Sequence, residues 1–177
     1  MSFKTTFTTL TSAVALSLVA FSAQAANGGE GVVNFTGSVI NAACSIAPES
    51  ADQTIDFGQI SKTHLASGGI SELRDIDILL TNCDPTSLVD KTVTVTFNGA
   101  AIPAAPTELG TTGNTGTAII INSPASGDVV FGQPGNPQII GDGNNTLRYA
   151  SWVKMATGGA VAEGDFTAVT NFTLAYQ

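Results

Sequence analysis

The sequence is poor in charge and in the residue types that carry most enzyme chemistry. Charged residues make up only 11% of the 177 residues, and the chain has one histidine, His64. A single histidine without a CxxC spacing gives no recognisable metal site, and no nucleophile, base and orienting group can be assembled around it. Only six residues are basic against fourteen acidic ones, which disfavours nucleic acid and anionic lipid as partners. We therefore predict no enzyme activity, no cofactor and no metal.

A long apolar run occurs only near the start of the chain. Lys4 precedes the apolar stretch 13–21, and Ala23-Gln24-Ala25 is a small-residue cleavage site, which is the order typical of a secretory signal peptide. A membrane anchor is the alternative, but the run is too short to span a bilayer. We therefore predict a signal peptide over residues 1–25 and export of one domain of ordinary size. Loss of Lys4 lowers the net charge from −8 to −9.

Cysteine is also scarce, since only Cys44 and Cys83 are present. In an exported protein two cysteines favour a structural disulfide. Such a bond would close a loop of 39 residue steps and stabilise the fold by roughly 3 to 4 kcal/mol. A metal site or a catalytic thiol is the alternative, and neither has supporting residues nearby.

The rest of the chain consists of short alternating segments separated by turns rich in Gly, Pro and Asn. No stretch of 12 or more residues after the signal has helical periodicity. Regular short strands at this spacing predict an all-β sandwich of one domain. The predicted strands are residues 39–46, 54–57, 75–80, 92–97, 117–121, 128–131 and 146–155, followed by a closing strand that begins at Phe166.

The closing strand is the clearest of these segments. One of its faces carries six residues, namely Phe166, Ala168, Thr170, Phe172, Leu174 and Tyr176, and the other face is more polar. Only Gln177 follows, so we expect no later segment of this chain to cover its far edge. Because proteins usually blunt or cover a strand edge, this edge is expected to be reserved for a partner.

Three smaller patterns have functional alternatives that we consider weaker. Asp75 and Asp77 share a strand face and could be paired catalytic carboxylates, but they fit the outer face of a half-buried strand better. Residues 141–145 contain oxygen ligands and glycines, yet they lack the spacing of a calcium loop and predict a tight turn. Tyr149 and Trp152 lie on opposite faces of a predicted strand, so they do not form one sugar-stacking platform.

Several of these segments together resemble one family, the pilin subunits of chaperone–usher fimbriae, of the type 1 and P-type major subunits. The resemblance covers the whole chain after the signal. It rests on Gly31-x-Val33-x-Phe35-x-Gly37, on the run 39–46 around Cys44, on the run 55–60, on Ile76-x-Ile78-x-Leu80-x-Asn82-Cys83, on Gly164 and on Phe172-x-Leu174-x-Tyr176.

The resemblance implies an incomplete immunoglobulin-like β-sandwich that lacks its last strand and has an N-terminal donor-strand extension. In such pilins a periplasmic chaperone fills the resulting groove until the arm of the next subunit replaces it, at an outer-membrane usher. It implies an arm over residues 26–37 and a pilin domain over residues 38–177. The implied localisation is a fimbria on the outer cell surface, reached through the periplasm.

The resemblance also assigns roles to residues. The donor strand would present its inward side at Gly29, Gly31, Val33, Phe35 and Gly37. The acceptor groove and chaperone contact would be formed by Gly164, Phe172, Leu174 and Tyr176. The expected function is a structural subunit that polymerises head to tail with identical or related pilins, most simply as the major shaft subunit. The alternatives are a minor or adaptor pilin, or a secreted β-sandwich that binds a host glycan or protein as receptor.

Overall fold

The computed structural model describes residues 31–177. The predicted signal peptide and Gly29 of the predicted donor strand lie outside the described residues. The chain divides into two compact units, Met1–Val39 and Ile40–Gln177. In the described part of the first unit, residues 31–39 have exposed side chains and no regular secondary structure. No helix in the described part of the chain is long and apolar enough to cross a membrane.

β-Strands are the main regular secondary structure of the second unit. They are β1 (Ser45–Ile46), β2 (Arg74–Cys83), β3 (Thr92–Gly99), β4 (Ala101–Ile102), β5 (Ala105–Gly110), β6 (Thr117–Ser123), β7 (Gly127–Asp128), β8 (Gln138–Ile139), β9 (Gly143–Met155) and β10 (Thr170–Tyr176). Three short helical turns interrupt them: α1 (Pro48–Ala51), α2 (Lys62–Ala66) and a 3₁₀ turn over Pro85–Ser87.

These strands form two antiparallel sheets. The larger sheet has the order β1-β2-β9-β6-β5-β4, with β7 also paired to β6, and the smaller sheet has the order β10-β3-β8. The core lies between the two sheets, because residues from both contribute to one buried cluster, among them Ile78, Leu80, Val93, Ile121 and Leu147. The predicted all-β, immunoglobulin-like sandwich is confirmed.

The predicted disulfide is also confirmed. Cys44 and Cys83 are bonded, and both are buried, with exposed fractions of 3% and 6%. The bond ties the residue before β1 to the last residue of β2. It therefore holds the short edge strand β1, which pairs with β2 at only two positions, Ser45 with Thr81 and Ile46 with Leu80.

Several strand predictions need correction. β4 and β5 were not predicted, because Pro103 and Pro106 suggested a turn; Pro106 lies in β5 outside the pairs that β5 makes with β6, so its missing N–H costs no ladder bond. The predicted strand 54–57 is not a strand, although its side chains alternate between half-buried and exposed. It has no ladder partner, and only a partner turns an extended segment into a strand.

The weaker patterns have structural roles. Asp75 and Asp77 are exposed on the outer face of β2, as predicted. The turn at residues 141–145 is closed by Asn145, whose Oδ1 accepts from the Gly141 N–H at 2.9 Å and whose Nδ2 donates to the Gly141 carbonyl at 2.8 Å. These two bonds close the turn through the side chain of Asn145.

Glu108 is a charged side chain that is buried in the described part of the chain. Glu108 of β5 is 3% exposed, and it accepts from Lys154 Nζ at 2.6 Å and from the Thr157 N–H and hydroxyl, both at 2.7 Å. Burial by itself raises the pKa of Glu108, but the hydrogen bonds from Lys154 and Thr157 outweigh it and hold the pKa below its ordinary value. The ionised carboxylate is therefore the form that stabilises the fold.

We expect Glu108→Gln to lower the free energy of unfolding by about 2 kcal/mol at neutral pH, because it removes charged hydrogen bonds from a buried site. A lowered folded-state pKa stabilises the protein above the unfolded pKa, and this stabilisation is lost as pH falls through the folded pKa. The difference between wild type and variant should thus shrink below about pH 4.5. Denaturant titrations across pH measure it. Glu163→Gln is the control, since Glu163 pairs with Lys62 while 86% exposed, and its effect should be near zero.

Candidate binding groove

β10 has one paired and one free edge. It pairs with β3 over seven positions, from Thr170 opposite Gly99 to Tyr176 opposite Val93. Its other edge has no strand partner within residues 31–177. The prediction of an uncovered closing strand is correct for the described chain, although the strand begins at Thr170 and not at Phe166.

The free edge of β10 presents main-chain groups at regular intervals. Thr92 and Gln177 exchange two hydrogen bonds of 3.0 Å, so they form a hydrogen-bonded pair of the ladder. Such pairs alternate along antiparallel strands, which directs the N–H and C=O groups of Phe172, Leu174 and Tyr176 away from β3. The same three residues turn their side chains inward, since inward and outward burial alternates along β10. A second strand could therefore bond to their main chain and pack on their side chains.

A groove runs along this side of the sandwich, where residues 50–60 form one wall and residues 161–172 form the other. It consists of two adjoining cavities of about 670 and 640 Å³, which share Ile55, Phe57 and Phe166. The larger cavity has an apolar floor made of Ile76, Phe97, Leu109, Ile119 and Ile121. We call these two parts the apolar half and the polar half of the groove.

The polar half has a different chemistry. Its floor contains the buried hydroxyls of Thr115 and Thr117, which lie 2.8 Å apart. Lys62 Nζ and Glu163 Oε1 are 3.4 Å apart and join the two walls across this half. The apolar half thus favours bulky apolar side chains in an occupant, whereas the polar half offers it hydroxyl groups and an ion pair.

Some of the side chains around the apolar half are only half-buried. Ile76, Ile119 and Phe172 pack against the core from partly exposed positions, and the rings of Phe97 and Phe172 are 6.3 Å apart. In a closed sandwich such inward side chains would be covered on both sides. The core of this unit is therefore incomplete along the groove.

Tyr176 carries a buried polar atom that lacks a partner. Its hydroxyl has no hydrogen bond within the described part of the chain, and burial raises the pKa of the phenol. Tyr149 is buried too, and burial raises its pKa, but its hydroxyl accepts from Gln138 Nε2 at 2.9 Å. An unpaired buried hydroxyl costs about 1 to 3 kcal/mol of folding free energy. Tyr176, on the strand with the free edge, carries this cost, whereas Tyr149 does not.

The wall formed by residues 161–168 is held in place by the loop that precedes β6. The Thr112 N–H donates to the Thr167 carbonyl at 2.8 Å, and the Ala162 N–H donates to the Thr115 carbonyl at 2.9 Å. Gly116 lies against Ala160, with φ at +65°, and a Cβ there would overlap the Ala160 carbonyl oxygen. This side of the groove is therefore a firmly anchored wall.

We expect Gly116→Ala to destabilise the unit by about 3 kcal/mol. A left-handed conformation costs a residue with a side chain about 1 to 2 kcal/mol, and the overlap with Ala160 adds a backbone displacement. Gly58→Ala is the matched control, because its φ is +63° and no atom lies within 4 Å of the added Cβ. Chemical denaturation gives the free energy of unfolding of both variants, and the difference between their losses measures the contact of Gly116 with Ala160. Equal losses would contradict the anchoring of this wall by Gly116.

The structure places the predicted site residues as follows. Gly164 lines the polar half and Phe172 lines the apolar half, whereas Leu174 and Tyr176 continue along β10 beyond the lining of the two cavities. In the first unit, Val33 and Phe35 are 73% and 91% exposed. A Cβ added at Gly31 or Gly37 would have no atom within 4 Å. Sequence reasoning assigned no role to the wall 50–60, although the alternation at Ile55 and Phe57 was a signal for it.

Comparison with known proteins gives concordant results. Residues 33–177 match a family model described as fimbrial protein. The chain is similar to a fimbria A protein of Serratia marcescens, with 51% identity over 88% of this chain and 89% of that protein. It is also similar to the Pap fimbrial major pilin protein of Escherichia coli, with 43% identity over 93% of this chain and 96% of that protein.

Solved structures agree with these relatives. A subunit from a chaperone–usher pilus structure superposes with a TM-score of 0.79 and 46% identity, over 84% of this chain and 96% of that subunit. The P pilus rod subunit PapA superposes with a TM-score of 0.73 and 44% identity, over 77% of this chain and all of that chain. Both similarities span most of this chain, including the unit that contains the groove.

Proposed function

The chain belongs to the fimbrial protein family, and from that premise we propose that it is the repeating shaft subunit of a surface fimbria, joined to its neighbours by donor-strand exchange. The family is one of structural pilins. The subunit is exported through the periplasm, where a chaperone and an outer-membrane usher deliver it to a fibre on the cell surface. The relatives described above include a major pilin and a rod subunit, which favours the shaft over a minor or adaptor role.

The observation that carries this proposal is the free edge of β10 beside an open groove. Phe172, Leu174 and Tyr176 offer main-chain hydrogen bonds at that edge, and their side chains border a half-covered core. Addition of one extended strand satisfies both needs together. Main-chain bonds then supply affinity, and the fit of alternate side chains supplies the register.

The occupant that fits is the arm of a second copy of this chain. Its inward face carries Gly31, Val33 and Phe35, and residues 31–39 contain no charged side chain. Phe35 matches the apolar half, where its burial would contribute roughly 2 to 3 kcal/mol. Burial of Val33 and Phe35 would remove two strongly exposed apolar side chains from water.

Such a joint produces a fibre. The proposed donor is residues 31–37 and the proposed acceptor is another part of the chain, so the contact is heterologous, and it propagates as a filament when it does not close on itself. Every joint extends the sheet of β10 by one strand. Dissociation therefore requires removal of a whole strand.

A synthetic peptide of residues 29–39 tests the groove directly. We expect it to raise the melting temperature of the mature chain, because a ligand that binds only the folded state stabilises it by about 2.7 kcal/mol at one hundred times its Kd. The matched control is the same peptide with Phe35→Arg, which should leave the melting temperature unchanged. An equal shift with both peptides, or none with either, would contradict the acceptor assignment.

A further inference from the structure

We propose that Ser50 is a positioning residue for the acceptor groove: its hydroxyl replaces a missing strand partner of β2 and so keeps residues 52–57 out of the larger sheet. This inference rests on the proposed function, because it concerns the groove that would accept the donor strand. Ser50 is 4% exposed and also lines the apolar half. Its role follows from the hydrogen bonds at the point where the chain leaves β1.

The ladder between β1 and β2 stops abruptly after one further bond. The Ala47 N–H still donates to the Leu79 carbonyl at 2.9 Å, which makes these two residues a hydrogen-bonded pair. In a continuing ladder, the Leu79 N–H would donate back to the Ala47 carbonyl. That carbonyl instead accepts from the N–H groups of Ser50 and Ala51, at 2.9 and 3.1 Å, in the helical turn α1.

The Ser50 hydroxyl bonds to main-chain groups of β2 that β1 leaves without a partner. Ser50 Oγ accepts from the Leu79 N–H at 2.9 Å and donates to the Asp77 carbonyl at 3.3 Å. The register of Ile46 opposite Leu80 places Ala47 opposite Leu79, and a continued strand would place Glu49 opposite Asp77. The Ser50 side chain bonds one main-chain group of Leu79 and one of Asp77, and the main chain is free to turn away.

Gln53 extends the same arrangement into the wall of the groove. Its Nε2 donates to the Asp77 carbonyl at 2.9 Å and to the Ser50 carbonyl at 3.2 Å. From there Ile55 and Phe57 face the groove, with no strand bonded to their main chain. Without Ser50, the Leu79 N–H has no acceptor, and the Asp77 carbonyl keeps only the bond from Gln53. The free N–H favours a return of residues 52–57 to the edge of β2. That return would narrow the groove.

The test measures binding of the peptide 29–39 to the full mature chain carrying Phe35→Arg, so that the protein cannot act as its own donor. Ser50→Ala should raise the peptide Kd about five- to tenfold, at a temperature where circular dichroism finds each variant folded. Ser71→Ala is the matched control. Ser71 is also a buried serine whose hydroxyl accepts from a strand N–H, that of Val153 at 2.9 Å, but it does not line the groove. Its Kd should stay within about twofold of the parent, although its melting temperature falls.

Gln53→Ala serves if Ser50→Ala does not fold, and it should raise the Kd about two- to fivefold. A parental Kd in Ser50→Ala with only a lower melting temperature would overturn the proposal, since the hydroxyl would then act on stability alone. An equal rise of Kd in Ser71→Ala would overturn it as well. Failure of the parent protein to bind the peptide would instead contradict the proposed function, so the two failures are distinguishable.

Discussion

Phe35→Arg is expected to abolish fibre growth and to leave the chaperone-bound subunit intact. Phe35 is 91% exposed in the arm, and donor-strand exchange would bury it in the apolar half of the next subunit. Arginine there would lose the apolar contribution and would place an unpaired charge in the groove, at a cost of several kcal/mol. The acceptor residues are unchanged, so the chaperone still finds its site.

The measurement is gel electrophoresis of material sheared from the cell surface, without heating. Wild-type shaft subunits should give a ladder of multimers that survives detergent, and Phe35→Arg should give none, while the chaperone complex is still recovered from the periplasm. Val32→Arg is the matched control, because Val32 is 87% exposed on the opposite face of the arm. A normal series of multimers from Phe35→Arg would contradict the assignment of Phe35 to the donor strand.

Removal of the disulfide is expected to destabilise the subunit by about 3 to 4 kcal/mol, because the bond closes a loop of 39 residues. The loss should concentrate at β1, which has only two ladder pairs of its own with β2. In the double variant Cys44→Ser, Cys83→Ser, the Asp84 N–H to Ala43 carbonyl bond of 2.8 Å is the remaining link beside the former disulfide.

The measurement is denaturant unfolding of the peptide-saturated mature chain, with and without a thiol reductant. The reductant should lower the wild-type midpoint to that of the double variant and should not change the variant itself. If the wild-type midpoint does not change on complete reduction, the packing of β1 is sufficient to hold it at the edge of β2.

Most of the longer strands are predicted close to their observed positions. β2, β9 and β10 have burial that alternates along much of their length. β3, over residues 92–97, and β6 are buried at most positions and are predicted from their runs of β-branched and apolar residues. The helical turn α2 was not predicted, because five residues are too few for a periodic signal, although Ser61 is its N-cap and accepts from the His64 N–H at 3.4 Å. The strand predicted at 128–131 meets β7 only at Asp128, and β8 was not predicted; each of these strands has two residues in the ladder.

The groove was predictable only in part. The alternation of Phe172, Leu174 and Tyr176 predicts the inward face of β10. The absence of a last strand from the sandwich is implied only by the family resemblance. The alternation at Ile55 and Phe57 indicates a segment with one inward face. It does not show that this segment is a wall of the groove, because that depends on its having no strand partner among residues 31–177. The place of Ser50 depends on which residues of β2 lie opposite Ala47, and that register is a long-range property of the fold.

The free edge of β10 has a consequence for the two ends of a fibre. In a chain of subunits joined arm to groove, each joint uses one of each, so one unused arm and one unused groove always remain, at opposite ends. In the proposed fibre the two ends would be chemically distinct. One would expose the Val33 and Phe35 side chains of the donor arm, and the other would expose the floor beneath Phe172. Growth, arrest and capping at the two ends must then depend on different molecules, one that offers a groove without an arm and one that offers an arm without a vacant groove.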